Sequence, residues 1–315
     1  MTAADTRVKL PDSVKVIERG WLSANNIVLT QPDCVAVIDS GYDTHKAQTL
    51  ALITHALAGR NLNWLINTHC HSDHMGGNAT LQRAYGCRTS IPQGEAKLIR
   101  DWDEHELMLG PAGQTAERFE FHDTIFPGDV LDMGGTSWRA IAAPGHDMHA
   151  LMFYSAEYRI LISGDALWEN GFGVIFPVLF AKAGDETGYD ATQATLDSIG
   201  KLDIDIVIPG HGAPIRDVAG ALERANSRLA YYRADIQRLA RHCVKVILTF
   251  ALLDKRRIEL AGLADYLQKN SMYNDINQRF LGFDKQALAD YLVSDLEKSG
   301  AIRLENGVIV PRVAA

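Results

Sequence analysis

Four residues able to bind metal fall within six positions, His69-Cys-His71-Ser-Asp73-His74. They follow an apolar, strand-like run, Leu62-Asn-Trp-Leu-Ile-Asn-Thr68. Alternate residues of an extended strand end point the same way, so His69 and His71 can face one point. Asp73 and His74 are adjacent, and at a turn into a helix they can reach a second point nearby. One short loop can therefore present two ligand sets to two neighbouring cations. Imidazole and carboxylate suit zinc first, and also iron or manganese. The bland alternative is a surface histidine cluster, or a strand end with helix-capping residues.

Three further segments weigh against that alternative. Pro144-Gly-His146, Ser163-Gly-Asp165 and Pro209-Gly-His211 each place a ligand-type residue just after a glycine. Each also follows an apolar strand-like run. A glycine there lets the backbone turn sharply or approach a crowded centre. Singly, these are loop histidines and a turn former. Together and in this order they complete a seven-residue donor set: His69, His71, Asp73, His74, His146, Asp165 and His211.

The elements that must position these residues alternate at first. Cys34 to Ile38 reads as a buried strand and Asp43 to Gly59 as a helix. The Leu62 run is a second strand, and Met75 to Tyr85 fits a second helix. This is an α/β layered pattern. Pro92 to His122 reads as an acidic, loop-like insertion carrying a helix. Short strands follow at Val130–Met133, Trp138–Ala142, Ala150–Tyr154 and Arg159–Ser163. A helix over Tyr189–Leu202 and a buried strand over Asp205–Pro209 come next. Asp217 to about Leu253 is nearly continuous helical pattern, with further helices at Ile258–Lys269 and Lys285–Ser299. Ala301 to Val310 reads as a hairpin turning at Asn306-Gly307. The expected division is a catalytic domain over 1–244 and a small, mostly helical, winged-helix-like domain over 245–315.

The order H-x-H-x-D-H, Gly-His, Gly-Asp, Pro-Gly-His-Gly resembles the metallo-β-lactamase superfamily, and the likeness spans roughly Val16 to Ile215. It implies a four-layer αβ/βα sandwich with metals at one edge. It assigns His69, His71 and His146 to one metal and Asp73, His74 and His211 to another, with Asp165 bridging. Asp39 matches a family position that supports the metal loop, and Gly76-Gly77 matches the family's small residues after the first motif. The pattern is similar to the glyoxalase II and lactonase branches. True β-lactamases lack a bridging aspartate like Asp165, and flavodiiron relatives carry glutamate where His71 stands.

The resemblance implies a dinuclear hydrolase. Two cations lower the pKa of a shared water, whose hydroxide attacks the carbonyl of an ester, thioester or lactone. Asp73 is the candidate for orienting the nucleophile and passing a proton. Trp168, Phe172 and Phe176 follow Asp165 and are candidates for an apolar substrate wall. Trp102 and Met108 in the insertion are lid candidates. Strand alternation points Cys70 away from the two histidines, so it reads as buried filler. The alternatives are a mononuclear iron persulfide dioxygenase, an RNA-processing nuclease of the same superfamily and a non-catalytic ligand sensor. Metal identity separates the first. A pure sensor has no need of seven ligands.

Composition narrows the partners. The chain has 315 residues, 47% of them hydrophobic, and a formal net charge of -8. That suits a folded core and a small-molecule substrate better than a nucleic acid. The short basic run Lys255-Arg256-Arg257 is flanked by Asp254 and Glu259. The polar start, the lack of a membrane-length apolar run and four scattered cysteines fit a reduced, cytoplasmic protein away from membranes. The helical tail is compatible with a homodimer.

Overall fold

The computed structural model describes residues 9–182 and 184–312. The first sheet has the order β1 (Val14–Ile17), β2 (Asn26–Gln31), β3 (Cys34–Ile38), β4 (Trp64–Ile66), β5 (Arg88–Pro92), β6 (Asp123–Ile125). β1 to β3 form an antiparallel meander, whereas β3 to β6 run parallel. The second sheet runs β11 (Ile206–Pro209), β10 (Ile160–Gly164), β9 (Leu151–Ser155), β8 (Thr136–Ala142), β7 (Val130–Met133). Only its β10–β11 pair is parallel.

Period-2 alternation sets the layers. In β10, Ile160 and Ile162 point between the sheets, where they meet Ile38, Ile66, Trp138 and Phe153. Leu161 points the other way, into a core shared with the helices beyond. β11 divides likewise, with Ile206 and Ile208 inward and Val207 outward. On the first sheet Val28, Val37 and Leu65 face α1 (Lys46–Leu57) and α3 (Asn78–Tyr85). On the second, α7 (Thr187–Ile199), α8 (Val218–Arg233) and α9 (Ile236–Lys255) cover the outer face. The result is the expected αβ/βα sandwich.

Three elements differ in detail from the sequence reading. The helix expected over Met75–Tyr85 is two, α2 (Ser72–Met75) and α3, separated by Gly76-Gly77. The long helical pattern after Asp217 breaks at Ala234-Asp235. Asp217 and Asp235 cap the two helices, accepting from Gly220 N–H and Gln237 N–H. The insertion after β5 holds two short helices, α4 (Ala96–Asp101) and α5 (Leu109–Ala112), rather than one. A turn, α6 (Phe176–Phe180), follows β10.

The C-terminal part contains α10 (Leu260–Lys269), α11 (Ser271–Ile276) and α12 (Lys285–Lys298). A small sheet joins them in the order β12 (Ile258–Glu259), β14 (Val308–Pro311), β13 (Ile302–Glu305). The β13–β14 hairpin turns at Asn306-Gly307, both with positive φ, as a two-residue type I′ turn requires. α9 runs unbroken through residue 245. Its stripe of Leu239, Ala240, Cys243, Val244, Ile247 and Leu248 packs in the same core as α7 and α12.

Candidate metal centre

β8 and β10 both pair antiparallel with β9, and β11 is parallel to β10. Their C-terminal ends therefore lie on one edge of the sheet. His146, Asp165 and His211 follow those three ends. His69 follows the end of β4 in the facing sheet, and Leu151 N–H donates to Thr68 O (2.8 Å), tying the sheets together at that edge. All seven expected ligands meet there, in two clusters: His69, His71 and His146; and Asp73, His74, Asp165 and His211.

In the first cluster His71 Nδ1 lies 3.0 Å from His69 Nε2 and 2.8 Å from His146 Nε2. The outer nitrogens fix the tautomers of two rings. His146 Nδ1–H donates to Val174 O (2.6 Å). Thr68 Oγ1 gives its proton to Asp39 Oδ2 (2.9 Å) and so accepts from His69 Nδ1–H (3.1 Å). Both inner Nε2 atoms are then bare lone pairs, and a single proton on His71 can satisfy only one of them. Donors around one tetrahedral zinc at ~2.05 Å would stand ~3.3 Å apart, close to this spacing. Burial, then the neighbouring His74 and His71, hold the His69 imidazole well below its usual value. Burial and His146 bring His71 to about 4. Neutral rings with converging lone pairs are what a cation requires.

The second cluster is acidic. His74 Nδ1–H donates to Asp39 Oδ2 (2.8 Å). Its Nε2 is buried without a hydrogen-bond partner, 3.4 Å from Asp165 Oδ1 and 3.8 Å from Asp73 Oδ2. His211 Nε2 lies 3.1 Å from Asp73 Oδ2. Burial alone would lower His74, yet Asp39, Asp165 and Asp73 outweigh it and raise the imidazole well above its ordinary value. Burial likewise opposes the charge on Asp165, but His74 and His211 hold its carboxyl well below the usual range. Asp165 stands between the clusters: Oδ2 faces His146 Nε2 (3.4 Å) and Oδ1 faces His74. The orphaned nitrogen, the bare lone pairs and the two-faced carboxylate fit a pair of divalent cations.

Asp39 is the hub behind the centre. Its Oδ1 accepts from Thr68 N–H (2.9 Å), and its Oδ2 accepts from Thr68 Oγ1 and His74 Nδ1. It is buried in a left-handed backbone (φ 58°), which aspartate tolerates better than most residues. Gly210 supplies closeness: a Cβ there would collide with Asp165 Oδ1 and stand 3.0 Å from His74 Cε1. Sequence reasoning missed the 21–25 loop. Asn25 Nδ2 donates to Pro209 O (3.0 Å) and Gly212 O (2.7 Å), and Ala24 N–H donates to Asp73 O (2.9 Å). The Trp21 ring stacks on His211 with centroids 5.5 Å apart, and Trp168 meets the same imidazole edge-on.

A cavity of about 550 Å³ opens from this edge. Asp73, Trp168 and Phe176 line it, with Met108 from the insertion. Phe172 does not. It is buried in the core against Tyr232. Trp102 is also away from the cavity, edge-on to Phe119 under the insertion. Cys70 is buried among Met75, Ile91 and Ile99, as expected, and burial pushes its thiol well above the ordinary value.

The comparisons with known proteins agree with this geometry. The chain is 28% identical over 148 residues to the hydroxyacylglutathione hydrolase of Hyphomonas neptunium (43% of this chain, 50% of that one). It is 30% identical over 141 residues to that of Ectopseudomonas mendocina (45% of each chain). It thus spans about half the length of the curated relatives it matches. Among solved structures, a metallo-beta-lactamase family protein of Thermus thermophilus aligns over 96% of this chain and 100% of its own (TM-score 0.55, 20% identity). Native FEZ-1 metallo-beta-lactamase from Legionella gormanii aligns over 74% and 95% (TM-score 0.57, 13% identity). At such identities these structures speak for the fold alone. Residues 19–211 match the family described as the metallo-beta-lactamase superfamily, and they carry every residue of both clusters, so the chain belongs to that superfamily.

Proposed function

We propose that the chain is a metal-dependent hydrolase acting on an ester, thioester or lactone of a small, largely apolar substrate. The observation that carries this reading is the placement of two donor clusters, with Asp165 of the second facing His146 of the first, at the head of a mostly apolar cavity. Divalent cations held there, zinc first, would supply Lewis acidity and an acidified water. His69, His71 and His146 would hold one cation, Asp73, His74 and His211 the other, and Asp165 both. The chain's own contribution is positioning and proton handling. Asp73 lines the cavity as a carboxylate kept ionised, against its burial, by His74 and His211. It accepts a proton from the attacking water and directs its lone pair at the carbonyl carbon. Trp168 and Phe176 seat the acyl group, and Trp168 Nε1–H steadies Asp165 Oδ1 (3.2 Å). The activity named for the curated relatives, hydrolysis of hydroxyacylglutathione, puts a thioester first in the assay.

The test is elemental analysis of the purified protein and of Asp165→Ala, followed by an ester, thioester and lactone panel. Near two zinc per chain, falling in the variant with loss of hydrolysis, is the expected result. One iron per chain, with oxygen uptake on persulfides and no hydrolysis of the panel, would overturn it in favour of a persulfide dioxygenase. Nucleic acid is disfavoured by the basic run itself. Lys255 lies 3.8 Å from Asp254, Arg257 3.2 Å from Glu259, and Arg256 3.4 Å from His45 Nε2.

A further inference from the structure

The cavity extends past the metal edge to a wall built by α8 and α9, where Arg228, His242 and Lys245 line it. These positions lie beyond the 19–211 family match, so the wall belongs to this chain's own C-terminal part. Arg228 is laid along the turn that follows Asp165. A Cβ on Gly171 would stand 2.7 Å from Arg228 Cδ and 2.9 Å from Nε. The guanidinium reaches the Tyr232 hydroxyl. Its neighbours on α8 are paired with acids: Arg224 with Glu169 (2.6 Å) and Arg233 with Glu186 (3.4 Å). Arg228, between them and half-buried, has no carboxylate partner among the described residues.

The other two groups reinforce it. His242 stacks on the Tyr232 ring (5.6 Å, 27°). Burial, then Arg228 and Lys245, bring its imidazole down to about 4, so both cations act on this one ring and leave it neutral. Lys245 is shared with Asp295 (2.7 Å). The rest of the lining is mostly apolar, with Met108, Val246, Phe250, Leu253 and Met272, and it also carries Gln114, Glu169, Asn170, Thr249 and Ser299. A half-buried arginine with no carboxylate at ion-pair distance can take an arriving oxyanion as its partner. Its planar fork matches a carboxylate or phosphate in bidentate fashion.

We propose that Arg228, supported by Lys245 and His242, is an anion-recognition site, and that the substrate carries a carboxylate or phosphate group separated by an apolar spacer from the bond cleaved at the metal edge. The proposal rests on the hydrolase reading for which bond is cleaved, but not for the binding.

Calorimetric titration of the metal-loaded protein with three six-carbon probes tests it: hexanamide, adipic acid monoamide and 6-phosphonooxyhexanamide. At least one anionic probe binds about tenfold or more tighter than hexanamide. The tighter of the two identifies the group recognised. Arg228→Met removes that preference while hexanamide binding stays within about twofold, and Arg228→Lys keeps part of it. Three results overturn the proposal: no preference in the wild type, a preference that survives Arg228→Met, or an equal loss of all probes, which marks a purely structural arginine. If neutral and anionic esters alike resist hydrolysis while the Arg228-dependent preference persists, the hydrolase reading fails and the anion site stands.

Discussion

Asp39 shows how much one residue can determine. It reads both donors of Thr68 and the Nδ1–H of His74, so it fixes which nitrogen of His74 faces the centre. In Asp39→Asn the shape is kept, but the amide NH₂ cannot accept from His74 Nδ1–H. The imidazole then favours the tautomer with its proton on Nε2, an N–H where a cation needs a lone pair. Metal affinity, measured by competition with a chelator, should fall about 10–100-fold, with Tm in excess metal little changed. His242 gives a second prediction at this scale. Its ordinary value is 6.5 and its folded value about 4, so the unfolded chain takes up the proton first as pH falls. The stability present above pH 6.5 is lost progressively between about 6.5 and 4. By pH 5 the loss is on the order of 2 kcal/mol. His242→Phe keeps the stack on Tyr232 and removes the titration, so denaturant midpoints of variant and wild type should diverge in the variant's favour as pH drops from about 7 to about 5. An unchanged difference would place the His242 ring in water. The seven candidate ligands were readable because each stands where an apolar run meets a loop. Trp21 and Asn25 were not, because Asn25 is joined to Pro209 across 184 positions and nothing local marks the pair.

At the scale of elements, the sequence pattern located strands and layers better than it located breaks. Apolar periodicity runs straight through Met75–Tyr85, yet the helix divides at Gly76-Gly77. The reason is tertiary. The second glycine abuts the backbone carbonyl of Ser40, just after β3, and Gly77 N–H donates to Ser40 Oγ (3.0 Å). Ser40 Oγ in turn donates to Asn78 Oδ1 (2.7 Å), and Ser40 N–H to His74 O (2.7 Å). The break therefore presses the ligand helix α2 against the strand end that carries Asp39. Gly77→Ala would drive a methyl into that carbonyl and lever α2 outward. Overpacking of this kind costs about 1–3 kcal/mol. Metal content should fall as well, because Asp73 and His74 ride on α2. A variant with normal metal content and a lowered midpoint would separate the contact from the site. Phe172 is the converse lesson. Its aromatic, glycine-flanked setting looked like a substrate wall, and its ring packs in the core against Tyr232 instead.

For the whole molecule the question is whether the helical C-terminal part is a separate domain. A division near residue 245 follows from the change in sequence pattern, but α9 runs through that point without a break. Its buried stripe shares one core with Leu196 of α7, Leu263 of α10 and Leu292 of α12. Independent domains meet across linkers with few contacts, and here a continuous apolar cluster crosses the boundary. The same helices close the cavity that opens from the metal edge. We therefore expect one cooperative unit, and the tryptophans offer a clean test. Trp21, Trp64, Trp102, Trp138 and Trp168 all precede residue 245, so tryptophan fluorescence reports only on the first part. Leu292 is fully buried on α12. Leu292→Ala should cost about 2–5 kcal/mol. In a single cooperative unit the tryptophan signal shifts by the same amount as the far-UV signal of the helices, and the two transitions coincide. If the tryptophan transition stays where it is in the wild type while the helical signal melts earlier, the C-terminal part unfolds alone, and the cavity wall it supplies can open without disturbing the metal edge.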